Sequence, residues 1–164
     1  MRAVVQTRYG GPDALRIEQV EHPIADEGDV VIKVRAATVN RTDLGFLLGT
    51  PWITRFFSGV FRPKHQVLGT ELAGEVVGVG PGVTSFAVGD EVFGHSANRF
   101  GAHAEYLRMR ADGPLAAKPG NATFGEAAAV TDGAILALTN LRRGKVGNGT
   151  RVLKIGRASC RERV

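Results

Sequence analysis

Residues 67–94 read VLGTELAGEVVGVGPGVTSFAVGDEVFG, and this stretch decides the fold class. Short runs of β-branched and other apolar residues are divided by glycine, proline or polar residues every few positions. Many short strands separated by glycine-rich turns are typical of a β-barrel or a β-sandwich. We predict strands over residues 69–80 and 88–93, with a strand-end turn at residues 78–83.

The β pattern extends on both sides of this stretch. Further strands are predicted over residues 3–7, 15–20, 30–39 and 101–109. The clearest of them places Val30, Ile32 and Val34 on one face, as a period of two requires. A short helix follows, with Asn40 or Thr42 as its N-cap. The chain is therefore predicted to be mainly β with short helices.

A longer helix is predicted after residue 122. Thr123 and Glu126 form a capping box at its start. Residues 127–141 carry alanine, isoleucine and leucine at helical spacing, with an interruption expected at residues 131–133. Residues 151–153 resemble the start of a buried strand, and a helix that leads into an apolar strand is how an α/β domain begins. We expect an exposed apolar patch on this helix at Ala128, Ile135, Leu138 and Leu141.

Residues 154–164 read KIGRASCRERV and lack both an apolar period and turn-forming residues. One DNA encoding of these residues resembles a common short-read sequencing adapter, whose next codon in that frame is a stop. We interpret them as a non-native tail, with a natural basic tail as the alternative, and do not expect them to belong to the fold.

The tail also biases the composition. It contributes +3 to the net charge of +5, which leaves +2 for the rest, and it holds the only cysteine, Cys160. The remaining chain has no cysteine for a disulfide, a thiolate nucleophile or a metal site. Without a clustered basic face or an apolar run of about 20 residues, we expect no nucleic-acid and no membrane partner. The N-terminus shows no signal peptide, so a cytoplasmic protein is expected.

Five segments in a fixed order carry a family resemblance. They are residues 36–43, 67–77, 79–94, 101–106 and 126–129. Each segment alone is a weak signal, but the ordered series is specific. The chain resembles the medium-chain dehydrogenase/reductase superfamily, on its zinc-independent, quinone-oxidoreductase-like side.

The resemblance implies a two-domain parent enzyme. Residues 1–122 would form its GroES-like domain, a partly open β-barrel with short helices, and residues 123–153 the truncated start of its Rossmann cofactor-binding domain. The parent would be an NADP(H)-dependent oxidoreductase that reduces a quinone, an enone or a small carbonyl compound, and a homodimer at full length. The truncated chain is expected to be inactive alone. The alternatives are a stand-alone GroES-like binding module and a fragment of a zinc-type alcohol dehydrogenase.

The absence of zinc is expected from two positions. Zinc-dependent relatives place a cysteine where this chain has Asn40 and a histidine where it has Thr70. Neither replacement is a normal zinc ligand, so no metal site is expected. Asp43 and Glu71 could bind a metal weakly, but we expect ion-paired structural roles for them.

A zinc-free reductase must polarise its substrate with hydrogen bonds and leave the hydride chemistry to the nicotinamide. The family places an asparagine beside the nicotinamide at position 40, so Asn40 is the candidate catalytic and cofactor-binding residue, with helix capping as the alternative. Thr131 and Asp132 are expected at the cofactor, where the interdomain segment approaches it.

An aromatic stretch supplies the candidate substrate pocket. Trp52, Phe56 and Phe57 could form a wall for a flat apolar substrate, and ordinary core packing is the alternative. His95 has no partner at catalytic or ligand spacing, so it is expected to be solvated or packed.

Overall fold

The computed structural model describes residues 1–96 and 99–153, apart from the side chains of Thr54 and Phe57. The proposed non-native tail at 154–164 therefore lies outside the described residues.

Two antiparallel sheets carry the fold. A two-stranded sheet contains β1 (Arg2–Gln6) and β2 (Leu15–Gln19). A five-stranded sheet has the order β6–β3–β4–β5–β7, with β3 at Asp29–Ala37, β4 at Glu71–Val79, β5 at Glu91–His95, β6 at Tyr106–Arg110 and β7 at Leu115–Ala117. The mainly β prediction is confirmed.

The central pair β3–β4 is long and bent. Its register shifts after Val31 and again after Val34. Such bulges bend a strand and increase its twist. Gly74 faces the bent stretch, where an added Cβ would lie 2.2 Å from the carbonyl oxygen of Lys33. The close approach of the two strands therefore requires glycine at this position.

Strand β1 also pairs with two segments outside the named strands. Ala3 forms an isolated bridge with Ala104, just before β6, and Val5 forms one with Val67, just before β4. Apolar side chains fill the space inside the five-stranded sheet: Val30, Ile32, Leu72, Val76, Val92, Ala102, Leu107 and Met109 form one buried cluster. The alternation predicted for Val30 and Ile32 thus points into the main core.

In the described part of the chain, three α-helices accompany the sheets: α1 at Arg41–Leu48, α2 at Arg55–Ser58 and α3 at Phe124–Arg143. The capping box of Thr123 and Glu126 is confirmed at the start of α3. The interruption expected at residues 131–133 is wrong, because α3 is continuous there. One glycine costs a helix only about 1 kcal/mol. Packing of the first half of α3 against β3, β4 and β5 offsets that cost.

The strand expected at residues 151–153 is not formed. A strand needs a neighbour to pair its backbone groups, and the described chain places none beside these residues. Beyond α3, the described residues therefore contain no recognisable Rossmann portion. None of the helices in the described part of the chain is long and apolar enough to cross a membrane.

Candidate functional site

Asn40 is the N-cap of α1 and lies in the short connection between β3 and this helix. Its backbone is extended, and its Oδ1 accepts hydrogen bonds from the backbone N–H groups of Thr42 (2.9 Å) and Asp43 (3.1 Å). The carboxylate of Asp43 accepts in return from the backbone N–H of Asn40 at 3.0 Å. The capping role predicted for Asn40 is confirmed, and these hydrogen bonds hold its side chain at the N-terminus of α1.

The amide nitrogen of Asn40 is engaged as well. Its Nδ2 donates to Thr70 Oγ1 at 3.0 Å and to Glu71 Oε2 at 3.1 Å. An amide group has only two N–H donors, so both are used. Positions 40 and 70, which carry zinc ligands in zinc-dependent relatives, are here joined by a direct hydrogen bond.

Glu71 is the centre of this network. Its side chain is buried, with 4% of the residue exposed. Its Oε2 accepts from Asn40 and also from Thr38 Oγ1, and its Oε1 accepts from the backbone N–H of Asp132 at 2.8 Å. One carboxylate therefore joins the end of β3, the cap of α1 and the middle of α3.

Sequence reasoning missed this role of Glu71. We expected an ion pair for Asp43 and Glu71, and that expectation is wrong for the described residues, where no cation lies within 4 Å of either carboxylate. Hydrogen bonds hold both side chains instead; Asp43 Oδ1, for example, accepts from the backbone N–H of Gly69 at 3.1 Å. A carboxylate at the start of an apolar strand was the available signal, because buried acids need several donors. Within the same residues, no three His, Cys, Asp or Glu side chains form a metal-binding group.

Thr131 and Asp132 lie at the middle of α3, where the helix leaves the sheet. Thr131 is buried, and its hydroxyl donates to the carbonyl of Ala127 at 3.0 Å. Asp132 is half-buried and gives its backbone N–H to Glu71. The side chain of Asp132 lies 4.0 Å from Nε2 of His95. His95 thus has an acidic partner that its sequence spacing could not reveal.

The aromatic side chains do not pack in the core. Trp52 is 69% exposed and Phe56 is 59% exposed, and their rings meet edge to face with centroids 5.4 Å apart. Core packing, the alternative weighed for these residues, is therefore wrong for Trp52 and Phe56. The side chain of Phe57 lies outside the described atoms.

A cavity of about 550 Å³ lies elsewhere, between β1, β2, α1 and residues 102–105. Val4, Ile17 and Leu44 contribute to its largely apolar wall. Two of its wall residues touch the network around Glu71: Asp43, which caps Asn40, and His103, whose Nε2 lies 2.8 Å from the carbonyl oxygen of Thr38. Sequence reasoning did not find this cavity, because its wall is assembled from segments far apart in the chain.

The alcohol dehydrogenase GroES-like domain family matches residues 26–140. The chain is 34% identical to the 2-methylene-furan-3-one reductase of Solanum lycopersicum, over 96% of this chain and 41% of that protein. It is 35% identical to the chloroplastic NADPH-dependent alkenal/one oxidoreductase of Arabidopsis thaliana, over 78% of this chain and 33% of that protein.

Among solved structures, the quinone oxidoreductase of Coxiella burnetii superposes with a TM-score of 0.79 at 26% identity, over 91% of this chain and 46% of that one. The chain thus spans less than half the length of each of these relatives. Domain match, sequence identity and structural similarity all agree with the resemblance read from the five ordered segments. The chain belongs to the medium-chain dehydrogenase/reductase superfamily and carries its GroES-like alcohol dehydrogenase domain in a quinone-oxidoreductase-like form.

Proposed function

We propose that this chain is the N-terminal part of a zinc-free, NADP(H)-dependent oxidoreductase that reduces a quinone, an enone or a similar small carbonyl compound. The main support is the hydrogen bond between Asn40 and Thr70. These two residues stand where zinc-dependent relatives have zinc ligands, and neither an amide nor a threonine hydroxyl is a normal zinc ligand. The names of the relatives support the substrate class, since they include an alkenal/one oxidoreductase and a quinone oxidoreductase.

The proposed site combines three roles. Asn40 contacts the nicotinamide or polarises the substrate oxygen, and Thr131 and Asp132 border the cofactor. The shared contact of Asn40 and Asp132 with Glu71 supports this grouping. Trp52, Phe56 and Phe57 form the substrate wall, and the exposure of the first two leaves them free to receive a ligand.

The chain's own residues fit one edge of a cofactor site. When bound, NADP(H) would supply the hydride. Both amide hydrogens of Asn40 are already used, so Asn40 would have to give up one of these hydrogen bonds to donate to the nicotinamide or to the substrate oxygen. The described residues contain no glycine-rich turn leading into a helix that could hold a pyrophosphate.

The domain organisation is also part of the proposal. Residues 1–122 form the GroES-like domain, residues 123–153 open the cofactor-binding domain, and residues 154–164 are not native. We further propose that the full-length enzyme is a cytoplasmic homodimer and that the 164-residue chain is inactive alone.

Resequencing the source gene from independent DNA tests this organisation. We expect codons beyond Leu153 that encode a glycine-rich loop and a helix. The enzyme expressed from that gene should oxidise NADPH with a quinone or an enone, and a chelator should leave the rate unchanged. A gene that still encodes residues 155–164 and then stops, or an enzyme that loses activity with zinc removal, would contradict the proposal.

The role of Asn40 needs a variant that keeps the cap. Asn40→Asp is unsuitable, because it would place a second carboxylate against Glu71. Asn40→Ser retains a capping oxygen and removes the amide donor. In the full-length enzyme we expect turnover to fall about 10²–10³-fold if Asn40 stabilises the reacting oxygen. Thr42→Ala, at an exposed position of the same helical turn, serves as the control, and unchanged turnover in Asn40→Ser would rule out the catalytic role.

A further inference from the structure

Lys118 lies in the connection between β7 and α3, and its charge is removed from solvent. Its side chain is only 6% exposed. The ammonium donates to the carbonyl oxygens of Pro119 at 3.1 Å and Ala122 at 2.7 Å. It also forms an ion pair with Glu91 of β5 at 3.0 Å. A lysine ammonium has three N–H donors, so these three acceptors satisfy it completely, as burial of a lysine requires.

The contacts of Lys118 lie on both sides of the N-cap of α3. Ala122 directly precedes the N-cap Thr123. The ammonium of Lys118 lies over the ring of Phe124, the first residue of the helix, at 5.3 Å from the ring centroid. The positive end of the helix dipole disfavours a cation at this terminus, so the stability of the helix by itself does not explain a lysine here. The ion pair with Glu91 instead connects the beginning of α3 to the five-stranded sheet.

The beginning of α3 determines what the middle of the helix can reach. Asp132 follows Phe124 by eight residues, which is about 12 Å along a helix. The backbone N–H of Asp132 donates at 2.8 Å to Glu71, whose other carboxylate oxygen accepts from Asn40. A displacement of α3 that lengthens this distance by about 1 Å would break the contact, because a donor and an acceptor about 3.6 Å apart no longer form a hydrogen bond.

We propose that Lys118 is a positioning residue for the site at Glu71. It sets where α3 begins on the sheet, and the helix transmits that position to the N–H of Asp132. Asp132 in turn orients the Glu71 carboxylate toward Asn40. The consequence for a reaction rests on the proposed function of Asn40, whereas the positioning itself does not.

NMR spectroscopy of the 164-residue protein tests the proposal. Lys118→Met keeps the apolar stem of the side chain and removes the ammonium. We expect the backbone amide proton of Asp132 and the side-chain amide protons of Asn40 to change their chemical shifts, because their hydrogen bonds to Glu71 weaken. Their exchange with solvent should become roughly tenfold faster, the factor expected for one hydrogen bond to a charged group. The slowly exchanging amides of β3 and β4 should change less.

Arg35→Met is the matched control. It removes the same charge from a half-exposed ion pair with Glu75, which joins β3 to β4. This variant should leave the signals of Asp132 and Asn40 in place.

A second variant covers the case in which Lys118→Met does not fold. Glu91→Gln removes the charge of one acceptor and leaves the lysine with its two carbonyl partners. It should accelerate exchange at Asp132 by about threefold, as expected for a weakened contact rather than a lost one. Circular dichroism verifies that each variant is folded.

Three results would overturn the proposal. The first is a folded Lys118→Met variant in which the signals of Asp132 and Asn40 are unchanged. The second is an equal acceleration of exchange at Asp132 and in β3 and β4, which would mean that Lys118 contributes only to overall stability. The third is the same selective change in Arg35→Met.

The full-length enzyme separates this positioning from the proposed role of Asn40. If Asn40 acts on the nicotinamide or the substrate oxygen, Lys118→Met should lower kcat by up to about 100-fold, since misplacing a reacting group by about 1 Å can cost that much. The effect on KM should be smaller. An unchanged kcat together with displaced NMR signals would contradict the proposed role of Asn40 and support the positioning by Lys118.

Discussion

The two halves of α3 have similar composition and opposite surroundings. In the first half, Ala127 and Ala128 pack with Ala73 of β4 in a small buried cluster, and Thr131 is buried beside them. In the second half, Ile135, Leu138 and Leu141 are about half exposed. The boundary lies at Asp132, where the backbone N–H reaches Glu71. The comparison shows that the apolar spacing of α3 continues past the residues that pack on the sheet, so the same pattern gives buried side chains in one half and exposed side chains in the other.

The largest effect is expected from charging the buried half. Ala128→Glu would place an unpaired carboxylate where only 1% of the residue is exposed. We expect the free energy of unfolding to fall by about 3 kcal/mol or more, since nothing there compensates the charge. Leu138→Glu, in the exposed half, should change it by no more than about 0.5 kcal/mol. Urea unfolding followed by circular dichroism measures both, and equal effects would abolish the distinction between the halves.

The second effect concerns the junction at Glu71. Glu71→Gln retains the shape but turns one acceptor into a donor, so Thr38, Asn40 and Asp132 can no longer all be satisfied. We expect a loss of about 1–3 kcal/mol in the free energy of unfolding.

Glu75→Gln is the matched control for this variant. Glu75 lies on the same strand and forms a half-exposed ion pair with Arg35, a kind of contact typically worth only about 0–1 kcal/mol. A larger loss in Glu75→Gln than in Glu71→Gln would contradict the central role of Glu71.

A smaller effect is expected at the start of the buried half. Hydrogen bonds from the backbone N–H and the hydroxyl of Thr123 lower the pKa of Glu126 below its usual 4.5. Since the folded protein binds this proton less tightly than the unfolded one, the stabilisation is complete above pH 4.5 and is lost as the pH falls through the lower folded pKa. Glu126→Gln should remove that part of the acid sensitivity of α3. If the helix signal of Glu126→Gln falls with decreasing pH in the same way as that of the unsubstituted protein, the capping box does not contribute to the acid sensitivity.

The smallest effect on stability is expected in the exposed half. Leu138→Gln/Leu141→Gln should leave the free energy of unfolding within about 0.5 kcal/mol of its original value, because neither side chain is buried. The same variant should bind less of a hydrophobic dye and associate less in sizing chromatography. If its dye binding is unchanged, the exposed apolar surface that binds the dye lies elsewhere, with Trp52, Ile53 and Phe56 as the next candidates.

The sequence by itself determined the local structure and the family. The period-two pattern predicted β3 and β4, and the spacing of Thr123 and Glu126 predicted the start of α3. These features depend on residues at most a few positions apart, where backbone geometry leaves few choices. The ordered segments identified the superfamily for the same reason, because each is a short stretch whose residue types are visible without a partner.

Only the tertiary structure decided which surfaces meet. Glu71 accepts hydrogen bonds from Thr38, Asn40 and Asp132, which lie 33, 31 and 61 positions away in the sequence. No local sequence pattern could therefore predict this role. Ala128 was expected to be exposed and is buried, because the rotation of α3 against β4 selects one face among several that contain alanine. The strand expected at residues 151–153 is not formed, since pairing requires a neighbour that no apolar run can supply for itself. Burial and pairing depend on a second surface, and the sequence does not state where that surface lies.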